Sequence, residues 1–276
     1  AGGSMTVEGN ATIRANVAST DGGAAYLEGG SFTMSGGTMS GNTALNGAGA
    51  LVANGSVIVT GGVITQNTAT VNGGAFCISN GNYTMTGGEL TYNLALTGDG
   101  GAIYVSSSQA NTDITIRSGS ITHNTAGKNG GALGVYGQDG VQFVITIGSC
   151  TNHKDCPAGY HKLMGDDTKT ESCPIIQNNS SQTSGGAIYL AGSYDAVMNM
   201  YCLVEKDNRV GDGVSTSNFM MVDGGTLNIT SLGPNGEADF GKMEINSSIH
   251  VTGGRVTLSG THDNPIFNEH VTVDVA

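Results

Sequence analysis

A turn residue followed by a glycine-rich corner recurs along most of this chain. The turn residues are separated by 25, 26, 27, 30 and 55 positions, and they are Asp21, Asn46, Asn72, Asp99, Asn129 and Ser184. A unit of about 26 residues is too small to bury an apolar core by itself, so each unit must pack on its neighbours. The repeat therefore predicts a solenoid, and the doubled last step predicts an insertion within one turn.

Each unit carries three short stretches in which apolar and polar residues alternate. In one unit the apolar positions are Ala25 and Leu27, then Phe32 and Met34, then Met39. Alternation with a period of two is typical of a strand with one buried face, and like strands of successive turns would pair in parallel. The pattern predicts an all-β fold, a right-handed parallel β-helix with three strands per coil and roughly ten coils, in one domain over residues 1–276.

An asparagine column accompanies the third stretch of each unit. Each asparagine follows an aliphatic residue by three positions, and the set is Asn16, Asn42, Asn67, Asn93, Asn124 and Asn178. Stacked asparagine side chains can pass amide hydrogen bonds from coil to coil and can satisfy buried turn amides. The spacing predicts a structural ladder, with ligand binding as the alternative.

The charge balance of the chain argues against some classes of partner. Twenty-two acidic residues against ten basic ones give a net charge of -12, which repels phosphate backbones and anionic headgroups. No apolar run approaches the roughly 20 residues needed to cross a bilayer. We therefore expect no nucleic-acid partner and no membrane insertion by this segment. No cofactor is predicted, and because the ends of a solenoid need caps we expect the segment to belong to a longer chain.

Two motifs of the repeat resemble those of known surface proteins. The sequence GGAIY occurs at Gly100–Tyr104 and Gly185–Tyr189, and I-x-x-N-T-A occurs at Ile64–Ala69 and Ile121–Ala126. These motifs resemble the repeats of pectin-lyase-like surface proteins, including the GGAI and FxxN repeats of chlamydial polymorphic outer membrane proteins. The resemblance implies a right-handed parallel β-helix, an adhesin-like role, an extracellular or cell-surface location, and a host or neighbouring-cell protein or glycan as partner.

The repeat is interrupted over residues 148–174, which we predict to be a loop inserted into an intact coil. Four cysteines are disulfide candidates, namely Cys150, Cys156, Cys173 and Cys202, with Cys150 and Cys173 as the natural closing pair. Cys77 is the predicted unpaired thiol. The spacing of Cys150, His153 and Cys156 offers soft zinc ligands but matches no strong zinc signature, so no metal site is predicted.

Long loops on rigid solenoids commonly carry recognition, which makes the insertion a candidate for partner contact. Its candidate binding residues are His153, Lys154, Tyr160, His161 and Lys162. A tolerated insertion without a role is the alternative. A second polar loop is predicted over residues 205–218.

Two outward columns are further candidates for binding. The first is a partial stripe of Tyr26, Tyr104 and Tyr189, aromatic side chains of the kind that stack on sugars. The second resembles the flat threonine arrays of ice-binding solenoids, and its members are Thr6, Thr33, Thr84, Thr115 and Thr146. Threonine is also a common residue on exposed strands, which gives this column a purely structural alternative.

Carbohydrate-active enzymes share the predicted architecture, and they need clustered carboxylates, often with calcium. The charged residues of the regular region cluster only at Asp113, Arg117 and His123, and no carboxylate pair recurs in register on neighbouring coils. The sequence therefore favours a non-catalytic surface display module. A polysaccharide lyase or glycoside hydrolase is the runner-up, and an ice-binding solenoid is a minor alternative.

Overall fold

The structure is a computed structural model that describes residues 2–108, 111–148, 174–200, 203–211, 216–223, 226–231, 248–252, 255–259 and 273–275. These residues contain strands and no helix. The first strands are β1 (Ser4–Val7), β2 (Thr12–Arg14), β3 (Ala25–Ser40), β4 (Thr43–Ala44), β5 (Ala50–Thr65), β6 (Thr68–Ala69), β7 (Phe76–Ser79), β8 (Asn82–Thr91), β9 (Leu94–Ala95), β10 (Ile103–Ser107), β11 (Thr112–Thr122), β12 (Thr125–Ala126) and β13 (Leu133–Ile147). The later strands are β14 (Ile175–Gln177), β15 (Ser180–Ser181), β16 (Ile188–Met200), β17 (Val204–Lys206), β18 (Arg209–Val210), β19 (Thr216–Asp223), β20 (Thr226–Ser231), β21 (Ser248–Thr252), β22 (Arg255–Ser259) and β23 (Val273–Val275).

Strands of successive turns pair in parallel, residue over matching residue. In the first column the partners are Ala25, Ala50, Phe76, Ile103, Leu133 and Ile188. In the second column they are Met5, Phe32, Val57, Tyr83, Ile114 and Ile145. This pairing confirms an all-β parallel solenoid, with about six turns. The right hand of the coil and the count of roughly ten coils stay predictions.

The strand stretches of a coil are joined more closely than the sequence pattern predicts. In β3 and β5, 16 residues each, all three predicted stretches form one continuous bent strand. The pairing register shifts between Met34 and Ser35 and again between Ser35 and Thr38. A bulge of this kind bends a strand without ending its pairing. The two-residue strand β4 then adds a short fourth segment, and β6, β9 and β12 repeat it in later turns.

The two glycines of the Gly-Gly corner serve different purposes. Gly100 has a φ of +68°, a left-handed conformation that side chains rarely adopt. Gly101 needs no unusual φ, but a Cβ on it would lie 2.3 Å from the carbonyl oxygen of Gly131 on the next coil. The first glycine therefore makes the turn, and the second allows neighbouring coils to approach each other.

The interior is a continuous column of apolar side chains. Phe32, Phe76 and Tyr83 are fully buried, with ring centroids 5.6 Å apart for the first pair and 6.1 Å for the second. Removal of this surface from water is the main force that holds the coils together. The hydroxyl of Tyr83 is buried without a hydrogen-bond partner among the described residues.

The second polar loop, predicted over residues 205–218, overlaps three strands, and its residues 212–215 lie outside the described residues. Strand β17 continues the third-strand column, with Glu205 paired to Ile176, and β18 continues the short fourth segment, with Arg209 paired to Ser180. The polarity of this stretch predicts a loop, whereas the two strands continue the columns of the preceding coil, and Asn208 between them is buried and extends the asparagine ladder. Strand β18 also pairs antiparallel with β19, the one departure from parallel pairing among the described strands.

The insertion predicted at residues 148–174 lies almost wholly outside the described residues. At its two ends, Gly148 donates its N–H to the carbonyl of Ile116, and Ile175 pairs with Ser120 in the third-strand column. The coil therefore resumes in register after the interruption.

Candidate interaction surface

The asparagine ladder lies inside the turn between the third strand and the short fourth segment. The Nδ2 of Asn42 donates to Oδ1 of Asn67 at 2.8 Å, and the Nδ2 of Asn67 donates to Oδ1 of Asn93 at 3.0 Å. In the same way, the Nδ2 of Asn93 donates to Oδ1 of Asn124, and at the first rung the Nδ2 of Asn16 donates to Oδ1 of Asn42. Each buried amide also donates to a backbone carbonyl of the preceding turn, as Asn67 does to Met39. The ladder is a structural feature that fixes neighbouring coils to each other.

The sixth predicted member of the ladder, Asn178, is wrong by one position. Asn124 donates to Oδ1 of Asn179 at 3.0 Å, and Asn179 continues to Asn208. Asn178 is exposed and has a φ of +56°. The sequence reads Ile-Ile-Gln-Asn-Asn here, so both asparagines satisfy the spacing, and the burial of Ile176 rather than Ile175 selects Asn179.

A second ladder runs along the Gly-Gly corners. Asn46 donates from Nδ2 to Oδ1 of Asp21 at 2.8 Å, and Asn129 donates from Nδ2 to Oδ1 of Asp99 at 2.9 Å. Backbone N–H groups of Asn72 and Asp99 donate to the asparagine of the preceding coil. Burial raises the pKa of Asp99, although Lys128 and the bonds from Asn129 act in the opposite direction. Asn129 is only 3% exposed, and its Oδ1 has no partner among the described residues.

The predicted tyrosine stripe lies on the outer face of the first strand, beside these corners. In register, the column reads Tyr26, Leu51, Cys77, Tyr104, Gly134 and Tyr189. Tyr26 is therefore three coils away from Tyr104. It stands apart, 54% exposed, and its hydroxyl donates to Oε2 of Glu28 at 2.9 Å. That hydrogen bond raises the pKa of Tyr26. The stripe divides into one isolated tyrosine and a pair that flanks a glycine.

Gly134 is buried at its place in the column. A Cβ on Gly134 would lie 2.9 Å from the backbone nitrogen of Gly100 and 3.3 Å from Cδ2 of Tyr104, so neighbouring atoms already occupy the position that a side chain would need. Tyr104 is half-buried there, and burial raises its pKa. Tyr189 follows Gly134 on the next coil, and Tyr136 lies two residues along the strand with 43% exposure. The glycine therefore allows the corner backbone and the Tyr104 ring to pack closely against this strand.

Cys77 is buried although it lies on the outer side of its strand. It occupies the column between Leu51 and Tyr104, which leaves only 7% of the residue exposed. Burial raises the pKa of the Cys77 thiol to about 12. The thiol is free, as the sequence predicts.

Two exposed aromatic features were missed by the sequence reasoning. Tyr136 lies at a strand position that is occupied by Ser79 and Ser106 in the two preceding coils, so the repeat does not predict an aromatic residue there. Tyr92 and His123 stack on each other with centroids 4.9 Å apart and an interplanar angle of 24°. Both residues have a positive φ. Each directly precedes a ladder asparagine, so the spacing of the ladder places the two side chains at equivalent positions of neighbouring coils, and this pairing could have been predicted from the sequence.

The threonine column is in register, but it is interrupted by Ile58 between Thr33 and Thr84. Among the charged candidates, the Asp113 N–H donates to Oδ1 of Asn82, and His123 stacks on Tyr92. Within the described ranges no group of three His, Cys, Asp or Glu side chains could hold a metal ion.

The loop candidates lie outside the described residues. They are His153, Lys154, Tyr160, His161 and Lys162, together with the disulfide candidates Cys150, Cys156, Cys173 and Cys202. Their proposed roles stay predictions. The described part of the chain has no helix long and apolar enough to span a membrane.

Residues 175–191 match the Chlamydia polymorphic membrane protein repeat. The matched segment covers β14, β15, the Gly185 corner and the start of β16, and it includes Asn179 of the ladder and Tyr189 of the outer column. No curated protein and no solved structure matches the chain.

Proposed function

We propose that this chain is a non-catalytic display module of a cell-surface protein, and that it binds a host or neighbouring-cell partner. The observation that carries the proposal is the match of residues 175–191 to a polymorphic membrane protein repeat, which falls on one turn of the regular solenoid. The name of that repeat suggests an exposed, adhesin-like surface protein. A rigid rod that holds side chains away from a surface suits such a role.

The surface chemistry supports display more than catalysis. Glycan-cleaving sites need carboxylates that converge on one bond. On the described outer faces, the acidic corner residues Asp21 and Asp99 are separated by the asparagine coils of Asn46 and Asn72. Exposed tyrosines such as Tyr26, Tyr92 and Tyr136 are available for contact, and aromatic side chains are favoured at interfaces.

The proposal is tested with beads coated with residues 1–276. We expect them to attach to cultured epithelial cells or to bacterial cells more than beads coated with albumin, with attachment competed by the soluble chain. In parallel, a panel of polysaccharides is incubated with the chain and assayed for new reducing ends and for unsaturated products. Attachment without turnover supports the display function, whereas turnover of any polysaccharide, or attachment no greater than that of albumin beads, contradicts it.

A further inference from the structure

We propose that the outward face of the short fourth segment is a contact surface for a second copy of this chain, which packs against it side by side. Three columns of outward residues over the first five coils form this fourth-segment surface. They are Gly41, Gln66, Tyr92 and His123; Val17, Thr43, Thr68, Leu94 and Thr125; and Leu45, Thr70, Leu96 and Gly127. The proposal goes beyond the display function and does not depend on it.

The fourth-segment surface concentrates the apolar side chains that the described coils expose. Leu94 and Leu96 flank the buried Ala95, so both side chains point outward. Two residues before Leu94, the ring of Tyr92 stacks on His123 of the next coil with centroids 4.9 Å apart. Exposed apolar residues that lie together in this way mark interaction sites. Half of the large apolar residues exposed on the described part of the chain belong to this surface, namely Val17, Leu45, Tyr92 and Leu96.

The same surface carries no charged residue, although the chain as a whole is strongly acidic. None of the residues in its three columns is Asp, Glu, Lys or Arg. The other outer faces of these coils carry exposed acidic residues, with Glu28 on the first strand, Asp113 on the second and Glu89 on the third. The uncharged surface ends where Asp207 and Arg209 take the equivalent positions of a later coil. Depletion of charge is typical of the core of a protein–protein interface.

The absence of charge favours another copy of this chain as the occupant. A different partner would gain association rate and orientation from charges complementary to the acidic chain, and the fourth-segment surface offers none. Two copies, each with a net charge of -12, repel each other. Of the described faces of these coils, this is the one on which contact brings no charged residues of the two copies together. Its apolar and hydroxyl side chains can meet their like across a two-fold axis.

The size of the surface determines the expected strength of the contact. Five coils about 4.8 Å apart and a segment of about five residues give a face of roughly 20 by 15 Å. This area of about 300 Å² is well below the ~800 Å² that each partner buries in a standard interface. We therefore expect a weak, reversible dimer with a Kd of about 10 to 200 μM. Copies held on one cell surface meet at a high effective concentration, at which a contact of this strength forms.

Sedimentation equilibrium of residues 1–276 tests the proposal at concentrations from about 5 μM to about 1 mM, which bracket the expected Kd. Leu96→Glu places a carboxylate in the fourth-segment surface and should raise the Kd of the dimer at least about tenfold. Val144→Glu is the matched control. It also replaces an exposed aliphatic residue and gives the same net charge, but it lies on the outer face of the second strand. It should leave the Kd within about threefold.

Salt gives a second readout of the same contact. Raising NaCl from about 50 to about 500 mM screens the repulsion between two acidic chains, so the dimer should strengthen, whereas an interface of paired charges would weaken.

Circular dichroism checks the folding of each variant, and Leu45→Glu on the same surface replaces Leu96→Glu if that variant does not fold. A chain that stays monomeric at the highest concentration overturns the proposal, and so does a covalent dimer on a non-reducing gel. An effect of Leu96→Glu no greater than that of Val144→Glu, or a dimer that does not strengthen with salt, overturns it as well. Attachment of coated beads to cells is measured separately, so failure of the display function leaves this result unaffected.

Discussion

Replacing Asn67 with alanine tests whether the asparagine ladder holds the coils together. The buried amide makes four hydrogen bonds: Oδ1 accepts from the N–H of Asn42 at 3.1 Å and from its Nδ2 at 2.8 Å, while Nδ2 donates to Oδ1 of Asn93 at 3.0 Å and to the Met39 carbonyl at 3.1 Å. Alanine removes all four. The Asn42 Nδ2 keeps its bond to the carbonyl of Ile13, but the buried Asn42 N–H loses its acceptor.

The expected cost follows from that count. One stranded buried N–H costs about 1 to 3 kcal/mol, and the loss of the other amide bonds adds about 1 to 2 kcal/mol. We therefore expect Asn67→Ala to lower the free energy of unfolding by about 2 to 5 kcal/mol. Asn16→Ala is the control, because Asn16 is exposed at the first rung, where water can replace its bonds, and it should cost below about 1 kcal/mol.

The assay is urea unfolding followed by circular dichroism, combined with amide hydrogen exchange. Solenoids can unfold in parts, so exchange locates the damage: the N–H of Asn42 should exchange faster in Asn67→Ala than in the parent chain. Equal costs for Asn67→Ala and Asn16→Ala, or unchanged exchange at Asn42, would refute the view that the ladder carries stability.

Three further substitutions test other parts of the fold. Tyr83→Phe removes a buried hydroxyl that has no partner among the described residues and should raise the free energy of unfolding by about 1 kcal/mol; a loss would show that the hydroxyl is satisfied. Gly101→Ala brings a Cβ to 2.3 Å from the carbonyl oxygen of Gly131 and should lower the free energy of unfolding by about 1 to 3 kcal/mol or more. Its control is Gly3→Ala, whose Cβ meets nothing within 4 Å and which should leave the free energy of unfolding nearly unchanged in the same urea assay. Burial raises the pKa of Asp99, so its contribution to stability is complete below the ordinary value of 3.8 and is lost as the pH rises through the raised value. Asp99→Asn should therefore gain stability relative to the parent chain as the pH rises through that range, and a difference that is constant with pH would contradict this.

The repeat and its apolar pattern were sufficient to predict the solenoid. Alternation at Phe32 and Met34 determines which side of the strand is buried, and the spacing of about 26 residues determines the partner on the next coil. The ladder followed from the same spacing up to Asn124. At the next rung two asparagines fit the rule equally, and only packing of Ile176 distinguishes Asn179 from Asn178.

The outer surface was harder to predict, because sequence period says which side a residue faces and not how much its neighbours cover it. Cys77 faces outward and is nevertheless buried between Leu51 and Tyr104. In the sequence, Gly134 is an interruption of the tyrosine stripe. In the structure the backbone of Gly100 and the ring of Tyr104 cover this position so closely that a side chain would collide with them.

The difference between the inner and outer columns explains how such a rod can serve as a display module. The inner positions of the first strand are all apolar, and the coil is further fixed by the glycine corners and the two ladders. The outer column places Tyr, Leu, Cys, Tyr, Gly and Tyr on the same backbone at equivalent positions. Because the interior and the corners determine the backbone, the outer side chains can vary widely in size and chemistry while the repeat keeps its geometry. Recognition by this chain is therefore expected to depend on a few outer residues of particular coils, with little effect of those residues on stability.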